Sequence, residues 1–180
     1  LVLNADDPLL VRRAVATGVA RIGWFALALD DALARGARAC GARAGSMLLC
    51  IDGIEHDLGA IAGMPLTLGG SARYNIANIA AASLAAHALG IAPATIASVL
   101  ARFGGCNADN PGRLQRWTLG DVQVLLDYAH NPDGLRGLLQ VAAGLRGNGR
   151  LGLLLGHAGN RLEADFRALH EAGTALAHCP

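Results

Sequence analysis

The stretch Val122-Gln123-Val124-Leu125-Leu126-Asp127-Tyr128-Ala129-His130-Asn131-Pro132-Asp133 joins an apolar segment to the start of a helix. Its first five residues include one polar side chain, as expected of a strand in an α/β sheet. Pro132 suits the first turn of a helix, where its missing N–H costs nothing. The pattern therefore predicts an α/β fold, with Asp127 and His130 at the carboxyl end of a strand, the edge at which open α/β sheets bind ligands.

Asp127 and His130 have two interpretations on their residue types alone. As site residues, the Asp127 carboxylate would accept hydrogen bonds from ribose hydroxyls, and the free N–H groups of the helix would receive phosphate. As structural residues, Asp127 caps the turn and His130 packs on it, since Asp often has this use after a strand. The residue types leave both interpretations open.

The composition excludes several classes of function. The chain has 180 residues, 53% of them hydrophobic, and its net charge of +1 argues against nucleic acid as a partner. All 15 basic residues are arginine, which excludes a P-loop lysine, a Schiff-base lysine and a lysine general base from these residues. No apolar run approaches about 18 residues, so we expect no membrane span and no membrane partner.

The cysteines show no pattern typical of a metal site or a disulfide framework. They are widely spaced, with no C-x-x-C pair, at Cys40, Cys50, Cys106 and Cys179. We expect free thiols in a reducing compartment, which predicts a cytoplasmic protein.

Apolar periodicity and turn residues divide the chain into strands and helices. They predict a hairpin at Asp52-Gly53 and a domain boundary near Gly112. The segment Ala32–Cys40 is compatible with a helix or a loop. The predicted strands are Leu1–Leu3, Arg21–Leu29, Ser46–Asp52, Glu55–Ile61, Met64–Leu68, Leu114–Leu119, Val122–Leu126 and Leu151–Leu155; the predicted helices are Pro8–Thr17, Asn75–Leu89, Ala94–Phe103, Pro132–Leu145 and Leu162–Ala177.

Three further segments accompany the Asp127–Asp133 stretch. They are Leu-Asn-Ala-Asp-Asp-Pro at residues 3–8, the glycine-containing run at 65–78 that enters an alanine-rich helix, and Asn-Pro-Gly-Arg-Leu at 110–114. In order and spacing, the four segments resemble the motifs of the Mur ligase family. The Leu-Thr-Leu-Gly-Gly lead-in and the run at 106–113 are most similar to the cyanophycin synthetase branch of that family.

The resemblance implies roles for five residues. Asn75 and Asn78 share one helix face and would approach adenine, because a carboxamide offers both a donor and an acceptor; alternatively, Asn75 is only an N-cap. The resemblance identifies the Pro-Gly-Arg run as a hinge between domains, where the planar guanidinium of Arg113 would contact the nucleotide. Without the resemblance, Arg113 would be interpreted as an ordinary surface arginine. Asp127 would be the ribose-side or hinge-side carboxylate, and His130 would lie near the phosphates or the reacting groups. Asp127 and His130 are thus the catalytic candidates, and the cofactor-binding candidates are Asn75, Asn78, Arg113 and Asp127.

The segment Gly156–Arg161 resembles a "GxxGDR" segment of the same family, with Asn160 where an aspartate is usual. That departure puts any acidic role at Asn160 in doubt. Dinucleotide binding by a Rossmann-type oxidoreductase is disfavoured, because the chain lacks G-x-G-x-x-G.

The resemblance implies an α/β protein formed by part of a P-loop-type central domain, residues 1–112, followed by the start of a Rossmann-like C-terminal domain, residues 113–180. The implied activity is ATP-dependent amide bond formation between an acidic or peptide substrate and an amino acid through an acyl phosphate. Mg²⁺ would be held by residues outside this chain, in a missing N-terminal part of the same polypeptide, so the chain alone would be inactive. The alternative is a non-catalytic nucleotide-binding or interaction module derived from such a ligase.

Overall fold

A computed structural model describes residues 1–16, 18–19, 21–156 and 163–174 of the chain. The chain divides into two compact units, Leu1–Gly105 and Cys106–Pro180. Among the described residues, no helix combines the length and the apolar character needed to cross a membrane.

A five-stranded mixed sheet forms the centre of the first unit. Its strands lie in chain order, with the first three parallel and the last two antiparallel. The predicted hairpin at Asp52-Gly53 is confirmed, and both turn residues have the positive φ that a tight two-residue turn favours. The strands are β1 (Val2–Asn4), β2 (Gly23–Ala28), β3 (Arg38–Arg43), β4 (Ser46–Ile51) and β5 (Ile54–Ala60).

Helices cover both faces of this sheet, because successive strand side chains point to opposite sides. In β2, Trp24 and Ala26 belong to one apolar cluster, whereas Phe25 and Leu27 pack against the other. The first cluster includes side chains of α1 (Pro8–Ala16) and α2 (Leu29–Leu33), and the second includes side chains of α3 (Arg73–Ala88) and α4 (Pro93–Leu100). The expected mixed α/β architecture is therefore present in this unit.

Gly41 allows β2 to pass directly into α2. The β2–β3 register shifts between Phe25 and Ala28, and a Cβ on Gly41 would lie 2.7 Å from the backbone nitrogen of Leu29. Only a glycine accepts this approach. The ambiguous segment Ala32–Cys40 is thus the end of a short helix followed by a turn and the start of β3.

The predicted strand Met64–Leu68 is wrong. The chain instead makes two 3-10 turns, at Ile61–Gly63 and Pro65–Thr67. Pro65 lies at the first position of its turn, and Leu68 ends it in the left-handed conformation with φ of 50°. The apolar side chains of this loop pack into the core with residues of the sheet and of α3 and α4, so burial at these positions did not indicate a strand.

The second unit contains a two-stranded antiparallel hairpin and two helices. The hairpin is β6 (Gln115–Leu119) and β7 (Val122–Leu126), and the helices are α5 (Pro132–Leu145) and α6 (Glu163–Thr174). Leu135 and Leu139 of α5 pack with Leu169 and Ala172 of α6 in a separate core.

The predicted strand Leu151–Leu155 is also wrong. In the described part of the second unit this segment has no ladder partner, and only β6 and β7 form a sheet. Leu151 and Leu153 pack against the helices, whereas Leu154 is 98% exposed. An apolar run without a neighbouring strand therefore buries alternate side chains against helices.

Candidate functional site

A buried threonine fixes the loop before α3. The hydroxyl oxygen of Thr67 lies 2.6 Å from the carbonyl oxygen of Ile61 and 2.9 Å from that of Met64, and it accepts the N–H of Gly70 at 3.1 Å. The Thr67 side chain is fully buried. This loop is the start of the segment that resembles the family motif, and its path is set by one hydroxyl group.

Asn75 ties this loop to α3. It is the third residue of the helix; the N-cap is Ala72, which makes no side-chain capping bond, so the N-cap interpretation of Asn75 is wrong. Asn75 Nδ2 donates to the carbonyl oxygen of Leu66 at 2.8 Å, and its Oδ1 accepts from Asn78 Nδ2 at 3.4 Å. Asn75 therefore has partners for both ends of its carboxamide.

Asn78 lies one turn further along the same face and is exposed. Within the described residues, its bond to Asn75 uses one of its two N–H groups. Its carboxamide oxygen and its second N–H are available to a ligand. Of the two asparagines, Asn78 is thus the better suited to contact a base edge.

In the second unit, two side chains fasten the Pro-Gly-Arg turn to β6. The Asn107 carboxamide donates to the carbonyl oxygen of Arg116 at 2.8 Å and accepts the Arg116 N–H at 3.0 Å. Gln115 accepts the N–H of Gly112 at 2.7 Å and donates to the carbonyl oxygen of Asn107 at 2.9 Å. Sequence reasoning missed Asn107 and Gln115, since no local pattern predicts bonds across eight or nine residues.

Asp127 joins the two ends of the β6–β7 hairpin. Its Oδ2 accepts the N–H of Leu114 and its Oδ1 accepts the N–H of Ala129, both at 2.8 Å. The structural interpretation of Asp127 is therefore realised, with a partner before β6 as well as in its own turn. Because a carboxylate oxygen has more than one lone pair, both oxygens can still accept a ligand hydroxyl.

The Tyr128 ring contacts both Arg113 and His130. The guanidinium carbon of Arg113 lies 5.1 Å from the ring centroid of Tyr128. The rings of Tyr128 and His130 have centroids 4.8 Å apart and are tilted by 47°. The second unit thus brings together the predicted residues Arg113, Asp127 and His130, together with Tyr128, whose only sequence signal was its place between two of them.

The N-terminus of α5 is already capped. Asn131 Oδ1 accepts the N–H of Gly134 at 2.7 Å, and the Asn131 carbonyl oxygen accepts the N–H of Leu135 at 3.0 Å. Pro132 has no N–H, and Asp133 places a carboxylate in the first turn. This helix end therefore offers few free N–H groups to a phosphate and carries a negative charge of its own, contrary to the expectation from the sequence.

Polar residues of the other two family-like segments, at 3–8 and 156–161, have structural partners or fall outside the described residues. Asn4 accepts the N–H of Asp6, and Asp6 accepts the N–H of Leu27, each at 2.9 Å. Residues 157–161 of the predicted Gly156–Arg161 loop lie outside the described residues. Within the described ranges, no group of three or more His, Cys, Asp or Glu side chains is arranged to hold a metal ion.

Comparison with known proteins gives a consistent set of relatives. Residues 112–179 match the family described as "Mur ligase, glutamate ligase domain". The chain is 32% identical over 173 residues to a cyanophycin synthetase of Trichormus variabilis, a match that covers 93% of this chain and 19% of that protein. It is 43% identical over 91 residues to the UDP-N-acetylmuramoyl-L-alanyl-D-glutamate–2,6-diaminopimelate ligase of Gloeobacter violaceus, covering 49% of this chain and 18% of the relative.

A solved structure of a UDP-N-acetylmuramoyl-L-alanyl-D-glutamate–2,6-diaminopimelate ligase is also similar. It has a TM-score of 0.46 and 19% identity, and the match covers 98% of this chain and 34% of that chain. The chain spans about a fifth of the length of the first curated relatives that it matches.

Proposed function

We propose that the chain is part of an ATP-dependent ligase that joins an acid to an amino acid, because residues 112–179 match a domain of the Mur ligase family, as the motifs indicated. The names of the relatives support either of two substrate classes, those of a cyanophycin synthetase and those of a peptidoglycan-precursor ligase. We further propose that residues 1–112 are the later half of a P-loop-type central domain and residues 113–180 the beginning of a Rossmann-like C-terminal domain, in a cytoplasmic protein.

The observation that carries the proposal is the grouping of Arg113, Asp127 and His130 at one edge of the second unit. Among the described residues, no carboxylate forms an ion pair with Arg113, and its side chain is exposed. An exposed guanidinium without an ion-pair partner can donate hydrogen bonds to phosphate or ribose oxygens. The half-buried Asp127 carboxylate retains lone pairs for a ribose hydroxyl. This donor set fits a nucleotide.

The first unit contributes a different kind of contact. Asn78 presents an exposed carboxamide, and Asn75 holds the loop on which the motif begins. A carboxamide can bond the donor and the acceptor of an adenine edge at the same time. We therefore propose that Asn78 binds the base and that Asn75 sets the position of Asn78.

ATP would phosphorylate a substrate carboxylate, giving an acyl phosphate and ADP. An amine would then attack the acyl carbon and displace phosphate, forming the amide bond. In this proposal the residues of the chain bind and orient: Arg113 would neutralise negative charge on the nucleotide, Asp127 would orient the ribose, and His130 would lie near the phosphates or the reacting groups. The P-loop contacts would come from residues outside these 180, because a P-loop requires a lysine and the chain has none. We propose that Mg²⁺ is held by residues outside these 180 as well.

The test uses the intact polypeptide that contains this chain. We expect phosphate release that requires ATP, Mg²⁺, an acidic substrate and an amino acid together. Asn78→Ala should raise the KM for ATP without changing the urea unfolding midpoint, and Asn148→Ala, which removes an exposed carboxamide from the turn after α5, should change neither. An Asn78→Ala enzyme with an unaltered KM would exclude the proposed base contact.

One observation favours a second candidate, a non-catalytic nucleotide-binding module. Asp127 and Asn75 are already engaged with backbone groups of the protein, as residues of a purely structural motif would be. An intact polypeptide that binds ATP in calorimetry, yet releases no phosphate with either substrate class, would favour this module. Under the ligase proposal, the 180 residues alone should release no phosphate.

A further inference from the structure

We propose that Tyr128 is a positioning residue, whose ring contacts both the Arg113 guanidinium and the His130 imidazole and restrains each of them. The consequence for ligand binding rests on the proposed function, since it assumes that Arg113 contacts the nucleotide. The contact between Tyr128 and Arg113 does not rest on that assumption, because both residues belong to the second unit.

The backbone on either side of Arg113 is fixed, but its side chain is not. Gly112 donates its N–H to Gln115, and Leu114 donates its N–H to Asp127. These bonds aim the Cα–Cβ bond of Arg113 and leave the rest of a long, exposed side chain free to rotate. A second restraint is needed if the guanidinium is to occupy one place before a ligand arrives.

Tyr128 supplies that restraint. The guanidinium carbon lies 5.1 Å from the ring centroid, inside the distance of about 6 Å at which a cation is attracted to an aromatic face. Tyr128 is 59% exposed, so its ring does not serve an apolar core. A tyrosine that remains in solvent while contacting a cation and an imidazole is best explained by those two contacts.

Asp127 and Tyr128, which follow β7, thus restrain different parts of Arg113. Asp127 fixes the main chain next to Arg113, whereas Tyr128 fixes the charged end of its side chain. The tilted contact with His130 likewise limits the rotation of the imidazole. A single ring therefore restrains both the cation and the imidazole.

The size of the effect follows from the strength of such contacts at exposed positions. Loss of the aromatic face should weaken the binding of an anion at Arg113 by about two- to five-fold. The effect is small because the guanidinium keeps its charge, and only its prior ordering is lost.

The first test needs no ligand. In the 180-residue chain, the Nε–H and Cδ protons of Arg113 should show an upfield ring-current shift in NMR spectra. The shift should persist in Tyr128→Phe, which keeps the ring, and disappear in Tyr128→Leu. An unchanged Leu114 amide resonance would show that the Asp127 bond, and with it the local fold, remains. Equal Arg113 shifts in all three proteins would overturn the proposal.

The second test separates the positioning role from the ligase function. In the intact polypeptide, Tyr128→Leu should raise the KM for ATP by about two- to five-fold, Tyr128→Phe should restore it, and Tyr128→Leu should add nothing in an Arg113→Ala background. If Arg113→Ala raises the KM and Tyr128→Leu does not, the positioning role is refuted. If neither changes the KM while the ring-current shift is present, the nucleotide contact of the proposed function fails and the Tyr128 contact stands.

Discussion

The carboxylate of Asp127 accepts the N–H of Leu114 at 2.8 Å across thirteen residues of sequence. Leu114 is nearly buried and has φ of +46°, a conformation that a leucine rarely adopts. The bond gives the strained residue a charged partner, so the unusual backbone and the carboxylate at the strand end are parts of one arrangement.

Removal of this carboxylate should destabilise the second unit. Asp127→Ala leaves the N–H groups of Leu114 and Ala129 without their acceptor, and hydrogen bonds to charged groups contribute about 1.5–3 kcal/mol each. We expect a total loss of about 2–4 kcal/mol, reduced by the partial exposure of the site, and about half of it in Asp127→Asn. Faster hydrogen exchange at the Leu114 and Ala129 amides is the direct measurement. Asp121→Asn, at the exposed hairpin turn, is the control and should leave both rates unchanged.

Gly41→Ala should destabilise the first unit, because the new Cβ would lie 2.7 Å from the nitrogen and 2.8 Å from the Cα of Leu29. Backbone atoms cannot swing aside as a flexible side chain does, and we expect a loss of at least about 1–3 kcal/mol in urea unfolding. Gly63→Ala is the matched control, since a Cβ there meets no atom within 4 Å and its φ is not positive. Equal unfolding midpoints for the two variants would contradict the close approach.

Thr67→Val tests the loop that precedes α3. Valine keeps the shape of threonine but removes the hydroxyl that bonds Gly70 and one of the carbonyl groups of Ile61 and Met64. The two carbonyl groups and the Gly70 N–H each keep a backbone partner, so only the hydrogen bonds of the hydroxyl itself are lost. We expect a loss of about 0.5–1.5 kcal/mol in urea unfolding. Thr95→Val, at an exposed position of α4, should have little effect. A Thr67→Val protein as stable as the parent would show that the loop does not depend on the hydroxyl.

Cys40 predicts a loss of stability at alkaline pH. Burial raises the pKa of its thiol from 9.0 to about 12. The unfolded chain therefore releases the proton first, so this contribution is fully present below pH 9 and is lost as the pH rises from 9 towards 12. The free energy of unfolding should fall by about 1.4 kcal/mol per pH unit in that range from this group alone.

The measurement is urea unfolding of the parent and of Cys40→Ala between pH 8 and the highest pH at which the fold persists. Below about pH 9, Cys40→Ala will be less stable than the parent because it leaves a small cavity, but its stability should fall less steeply above that pH. Parallel curves would refute a buried, protonated thiol.

The sequence indicated the fold best where short-range patterns decide it. The Asp52-Gly53 hairpin and the β7–α5 junction followed from turn residues and from Pro132. The two wrong strands, Met64–Leu68 and Leu151–Leu155, were apolar runs whose form depends on neighbours. An irregular segment whose apolar side chains pack into a core has the same composition as a buried strand.

In the candidate site, too, the residues inside local motifs could be predicted and those acting through distant contacts could not. Arg113, Asp127 and His130 were recognisable because they lie inside motifs, and the second unit does bring them together. Their supports were not recognisable. Asn107 and Gln115 act through bonds to distant backbone groups, and the bond from Asp127 to Leu114 requires a left-handed leucine that no propensity predicts.

The β6–β7 hairpin is closed at both ends, by the Gly120-Asp121 turn at one end and by the Asp127 bond to Leu114 at the other. Two strands alone are marginally stable, but a loop of chain clamped at both ends resists fraying and slippage of its register. Arg113 and His130 lie next to the residues joined by the Asp127–Leu114 bond, so we expect them to move as one rigid unit. Any displacement of the hairpin would therefore move the Arg113 guanidinium and the His130 imidazole together.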